Sequence, residues 1–164
     1  MIGKGKSISH GTAALEYDLA KEIDGQTAAI EIARHELYGC TGAEMVQEMK
    51  PYHADFPNVK NNCLRFEVSP SIEESATFTD ADWAELGNDF MQRMGLANHQ
   101  YIIIRHSGTE SKKEQAHLHI LANRVSLSGE LYRDNWIGKK ATEAANAIAK
   151  ERNFVQSQDI GKAN

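Results

Sequence analysis

The chain has no apolar run approaching the ~20 residues that span a bilayer. Its start, Met1-Ile-Gly-Lys-Gly-Lys6, has no apolar signal-peptide core. No membrane partner is expected, and the expected location is cytoplasmic. Cysteine is scarce: Cys40 and Cys63 are the only two in 164 residues. That is too few for a disulfide scaffold, so both read as free thiols. There is no CxxC pair, no Gly-x-Ser-x-Gly elbow, no phosphate-binding P-loop and no internal repeat. These absences argue against a closed structural zinc site, a serine hydrolase of the elbow type and a P-loop nucleotidase. A basic excess is missing too: 18 Lys and Arg stand against 23 Asp and Glu, a net charge of −5. Charge alone therefore argues against a general nucleic-acid binder. It is unevenly spread, however. Residues 41–100 carry four Lys/Arg against ten Asp/Glu, while residues 101–164 carry ten against seven.

What remains is an ordinary globular composition, long enough for one domain burying roughly two-thirds of its unfolded surface. Met1 to Ile8 reads as a short strand with Lys4, Lys6 and Ile8 on one side. Helix formers run from Gly11 to Glu22, with Leu15, Leu19, Glu22 and Ile23 on one face and Gly25 as the stop. Thr41-Gly-Ala-Glu44 is a capping-box pattern opening a second helix, and Pro51 lies near its end. Leu64, Phe66 and Val68 alternate with Arg65, Glu67 and Ser69, which predicts a strand with one oily and one polar face. Thr79 caps a third helix carrying Trp83, Leu86, Phe90 and Met94 at amphipathic spacing. Strands Tyr101–His106 and His117–Val125 follow, joined by the polar loop Ser107–Gln115. A further strand is expected around Leu131–Arg133, and a last helix shows in Ile137, Ala141, Ala144 and Ile148. The loop between the two histidine-bearing strands is too short for a helical crossover, so they pair as a hairpin. The expected fold class is α+β: an antiparallel sheet of about five strands with helices packed on one face.

The most informative feature is His117-Leu118-His119 inside an otherwise apolar strand. Alternation sends both imidazoles to the same face. His106 ends the neighbouring strand and joins them if the two strands pair. Three neutral imidazoles suit zinc, manganese, iron, copper or nickel, and three protein ligands leave the open positions that a catalytic site needs. Tyr17, flanked by Glu16 and Asp18 in the first helix, fits a half-buried packing residue as well as a nucleophile. Arg65 and Glu67 fit a solvated strand face or support for the site. Asn123 shares the ligands' parity, and Trp136 fits core packing or a base-stacking role.

Three segments in order make the chain resemble a known family. They are Ser7-Ile-Ser-His-Gly-Thr-Ala-Ala-Leu-Glu-Tyr17, then Cys63-Leu-Arg-Phe-Glu-Val-Ser-Pro70, and finally His117-Leu-His-Ile-Leu-Ala-Asn-Arg-Val125. The last is similar to an H-x-H-x-x-x-N-R strand. The chain resembles the relaxase domain of plasmid and transposon mobilisation proteins, in the His-hydrophobic-His endonuclease group. The likeness covers roughly residues 1–153, with 154–164 as a tail. The loop from His106 to His117 is longer than in many relatives.

The resemblance implies site- and strand-specific nicking and rejoining of single-stranded DNA at an origin of transfer. Tyr17 would be the nucleophile, forming a 5′-phosphotyrosyl link. His106, His117 and His119 would hold a divalent metal: magnesium or manganese in function, with zinc, nickel or cobalt also accommodated. Glu67 would be the base or a partner of a ligand. Lys4, Lys6, Arg105, Asn123, Arg124, Lys139 and Lys140 would meet DNA, with accessory mobilisation proteins as further partners. A replication initiator of the same group, or a binding module with an inactive site, are the competing readings. Tyrosine placed before the histidines favours the relaxase over the initiator.

Overall fold

The computed structural model describes residues 1–108 and 115–157. The chain runs β1 (Ile2–Ile8), α1 (Gly11–Leu19), β2 (Glu22–Ile23), β3 (Gln26–Thr27), β4 (Ala29–His35) and α2 (Gly42–Met49). A 3-10 turn (Lys50–His53) leads to β5 (Cys63–Ser69), the single turn α3 (Ile72–Ser75), α4 (Asp80–Arg93), β6 (Tyr101–His106), β7 (His117–Asn123) and α5 (Ile137–Glu151). Five strands form one antiparallel sheet in the order β1-β5-β7-β6-β4. The expected α+β class and strand number therefore hold. The polar loop expected over residues 107–115 lies mostly outside the described residues.

Local signals explain most of these elements. Thr79 accepts from the Asp82 N–H while the Asp82 carboxylate accepts from the Thr79 N–H, so α4 starts where two orphan donors are met at once. Thr41 likewise accepts from the Glu44 N–H at the start of α2. Cys40 is exposed and Cys63 buried, neither in a disulfide, and burial pushes the Cys63 thiol up to about 11.

Three expectations are corrected. The fifth strand is β4, paired with β6, whereas Leu131 makes only a single bridge to Val125. An edge strand buries little: Ile30 is exposed, Ile32 half-buried, and a register shift between Glu31 and Ala33 blurs the alternation. Helix α1 ends at Leu19, and Glu22–Thr27 turns back as a small hairpin. Its turn is Asp24-Gly25, both at positive φ (51° and 77°), the pairing that two-residue hairpin loops favour.

The third correction concerns the layers, because helices cover both faces. One core joins α4 and α5 to Leu64, Phe66, Ile103, Leu118 and Ile120. A second joins Leu15 of α1 and Met45 and Met49 of α2 to Cys63, Ile102, Ile104 and Leu121. Apolar residues at consecutive positions in β6 and β7 require cover on both sides. Helix α5 comes close to β1 because position 3 is glycine. A Cβ there would collide with the Ala141 carbonyl oxygen and stand 2.8 Å from the Ala145 Cβ. The smaller helical layer leaves part of its face open, and the histidines lie there.

Candidate active site

Strand register brings the three imidazoles together. His106 pairs directly with His117, and His119 lies opposite Ile104 two residues along, so all three rings leave the sheet on the α1 face. Ring centroids are 4.2 Å apart for His106 and His119, 4.8 Å for His117 and His119, and 5.6 Å for His106 and His117. One nitrogen from each ring lies within 4.8 Å of the others, a group able to hold a metal ion.

The hydrogen bonds reveal where the lone pairs are. His106 Nε2 donates to the Asp18 carbonyl at 2.7 Å, which leaves its Nδ1 as the acceptor. His117 Nδ1 donates to the Gln115 carbonyl at 3.0 Å, which leaves its Nε2 as the acceptor. That Nε2 faces His119 Nε2 at 2.9 Å, and Glu67 Oε1 stands 3.3 Å from the same His119 atom. His119 Nδ1 is buried with no hydrogen-bond partner. If His119 carries its proton on Nδ1, its Nε2 lone pair meets another lone pair and a carboxylate. If it carries the proton on Nε2, the buried Nδ1 lone pair is unmet. Either tautomer leaves excess electron density that a cation would offset, so the donor set fits a metal.

Burial lowers both inner histidines. His119 is pushed down to about 2, first by desolvation and then by the charges of His106, His117, Arg65 and Lys21. His106 is lowered chiefly by desolvation, against the opposing pull of its bond to Asp18. His119 is therefore neutral, and its 3.3 Å approach to Glu67 is not an ion pair. Neutral imidazole is also the form that binds metal. Above the ordinary value of 6.5 both states of the chain hold these rings neutral, so they add no pH dependence. Below it the unfolded chain binds protons that the folded rings refuse, and stability falls as pH drops. For the metal-free domain, the urea midpoint should be lower at about pH 5 than at about pH 7.5. The difference should shrink in His119→Gln, and an equal fall in both proteins would contradict the assignment.

The remaining groups come from β1, β5 and α1. Register sets Lys4 against Glu67, Lys6 against Arg65, and Glu67 against His119, so these side chains share the histidine face. Helix α1 lies above them, with Tyr17 65% exposed and Asp18 only 1% exposed. The Asp18 carboxylate accepts from Arg65 at 2.5 and 3.3 Å. Lys4, Lys6, Tyr17, Lys21, Arg65, Glu67 and the three histidines line one cleft of about 460 Å³. Its walls are locally basic in an acidic protein, which suits a phosphodiester backbone.

Five residues expected to meet DNA lie elsewhere. Arg105 is next to His106 in a strand and so points to the opposite face, where it pairs with Asp80 at 2.8 Å. Asn123 is fully buried. Its amide donates to the Met49 carbonyl and Gln100 Oε1, and its oxygen accepts from His53 Nε2 and the Val125 N–H. Arg124 donates to the Tyr132 and Asn61 carbonyls and pairs with Asp134, which ties β7 to its flanking loops. Lys139 and Lys140 lie on α5, in the layer behind the sheet. Conversely, Lys21 lines the cleft and Asp18 lies buried beneath it, paired with Arg65, and neither was singled out from the sequence. Asp18 did carry a signal: an acid sharing the helical face of Leu15 and Leu19 is out of place unless paired.

A family model described as "Relaxase: MobA/VirD2-like, nuclease domain" matches residues 17–154. Among solved structures, the chain is similar to the conjugative relaxase TrwC, in a metal-bound complex with oriT DNA. That similarity is 12% identity over 98% of this chain and 71% of that one, with a TM-score of 0.44. Comparison with curated protein sequences finds no match. The family match begins at Tyr17, takes in all three histidines and runs past the end of α5. The protein accordingly belongs to the relaxase family, as a MobA/VirD2-like nuclease domain.

Proposed function

We propose that this domain nicks and rejoins single-stranded DNA at an origin of transfer through a covalent tyrosine intermediate, initiating mobilisation of a plasmid or transposon. The observation that carries the reading is that Tyr17 and the three histidines line a single cleft. The Tyr17 phenolic oxygen attacks the scissile phosphorus and the bond to the 3′-oxygen breaks. A 5′-phosphotyrosyl link forms, and the 3′-oxygen leaves to become a hydroxyl. Rejoining is the reverse attack, so the phosphodiester's energy is kept in the enzyme.

Tyrosine's reference pKa near ~10 means the phenol must lose its proton to an acceptor during attack. Glu67 is the one carboxylate among the described residues lining the cleft, and it both serves as that acceptor and orients His119. Lys4, Lys6 and Arg65 hold the phosphates on either side of the break. His106, His117 and His119 would hold a divalent ion, magnesium or manganese by preference, which would supply Lewis acidity toward the scissile phosphate. Residues 1–153 form the nicking domain. Phe154 extends its packing, stacking on Phe78 with centroids 6.2 Å apart.

Supercoiled plasmid carrying the cognate origin, incubated with the protein and manganese, should yield relaxed circles and a covalent protein–DNA adduct. The adduct should join protein to the 5′ phosphate at the break and leave a free 3′ hydroxyl on the other fragment. Relaxation without any adduct would overturn the transesterase reading, and neither product would leave a binding module.

A further inference from the structure

Trp136 is 78% exposed, the most exposed large hydrophobic side chain among the described residues. It does not pack in the core. It stands at the start of α5 in the left-handed region (φ 58°, ψ 30°), a conformation that costs a bulky residue energy. The backbone thus holds the indole outward while Ile137 turns in. Lys139 follows in the first turn of α5, whereas Lys140 turns toward α4, beside Arg93 and Met94. Among the described residues Lys139 pairs with Glu143 at 4.0 Å, with both side chains mostly exposed, a pairing easily exchanged for another anion. Lys140 Nζ lies 5.4 Å from the centre of the Tyr132 ring, and Arg133 beside it is exposed. An outward indole with an exposed ammonium group one helical turn away is a combination that binds unpaired nucleotides, the base stacking and the phosphate pairing.

Its place in the fold connects this patch to the cleft. The loop before Trp136 is fastened to β1 through Asp134, which accepts from Ser7 Oγ at 2.7 Å and pairs with Arg124 at 3.2 Å. The first turn of α5 passes over Gly5, where a Cβ on Gly138 would stand 3.6 Å from the Gly5 carbonyl oxygen. Strand β1 is the edge of the sheet, and its Lys4 and Lys6 line the cleft on the opposite face. A strand leaving the cleft past these lysines therefore meets the patch after crossing one edge strand. We propose that Trp136 is a stacking platform for an unpaired base of the DNA as it leaves the cleft over β1, with Lys139 holding a flanking phosphate. The proposal rests on the nicking function above.

The chain has two tryptophans, and Trp83 is 2% exposed, so quenching of indole fluorescence by added DNA reports on Trp136. The full chain should be titrated with a short oligothymidylate and with a duplex of the same length. The single strand should quench and the duplex should quench far less. Trp136→Ala should lose the quench and weaken single-strand binding by roughly five- to a hundredfold. Trp136→Phe should retain most of the affinity, and neither variant should change the thermal midpoint. Equal affinity of wild type and Trp136→Ala, or equal quenching by duplex, would overturn the platform while leaving nicking intact. Absence of both single-strand binding and the covalent adduct in the wild type would overturn the relaxase reading along with it.

Discussion

Replacing Tyr17 with phenylalanine should abolish the covalent protein–DNA adduct and cut nicking by at least about a thousandfold. The substitution deletes one oxygen atom, and that atom is the proposed nucleophile. Because the side chain is 65% exposed, its loss should leave stability within about half a kcal/mol. Metal binding should be unchanged, since the three histidines come from β6 and β7 and not from α1. Calorimetric titration with manganese beside the nicking assay separates the two effects. Persistence of the adduct would move the role to another tyrosine, with Tyr38 the first to test. Tyr38 is 76% exposed and donates to Glu36 at 3.0 Å. That bond to Glu36 raises its pKa, which makes it a poor nucleophile at neutral pH.

Asp18→Ala should damage both stability and chemistry. The Asp18 carboxylate is 1% exposed and paired with Arg65, itself 22% exposed, and its Oδ1 stands 3.9 Å from His119 Nδ1. Removing it strands a partly buried guanidinium beside three imidazoles, at a cost of about 3 kcal/mol. That is a large share of the ~5–15 kcal/mol that holds a domain of this kind together. Nicking should fall as well, because Asp18 fixes the helix that carries Tyr17 against the strand that carries Glu67. Adding Arg65→Met to Asp18→Ala removes the stranded charge and should recover most of the denaturant midpoint. It should not recover nicking, since the cleft would lack a phosphate-holding cation. An Asp18→Ala protein as stable as wild type would show that the pair contributes nothing.

These two residues, adjacent in sequence, show how differently site residues declare themselves. Tyr17 could be picked out only through its resemblance to a family motif, for nothing in its neighbours distinguishes a nucleophile from a packing tyrosine. Asp18 needed no family: a carboxylate on an apolar helical face predicts a buried partner, though not which one. The histidines were legible from strand parity alone. The same parity rule, applied one residue earlier, would have turned Arg105 away from the cleft.

Strand β4 was hard to see because an edge strand has little burial to imprint on its pattern. The second helical layer was available in Ile102-Ile103-Ile104, since an uninterrupted apolar run needs cover on both sides. Trp136 points the other way. Hydrophobicity argues for burial, and only a left-handed backbone at the start of α5 places the ring in solvent.

The sequence by itself determined the alternating faces, the capped helices and the convergence of three imidazoles. Each follows from periods of two or 3.6 residues and from hydrogen bonds within a few positions. Tertiary structure alone decided which lysines share the cleft, which carboxylate holds Arg65 and which face stays open. Those outcomes depend on the order of strands and the seating of α1, where residues as far apart as Lys4, Asp18, Glu67 and His119 are brought together by packing that no local pattern encodes.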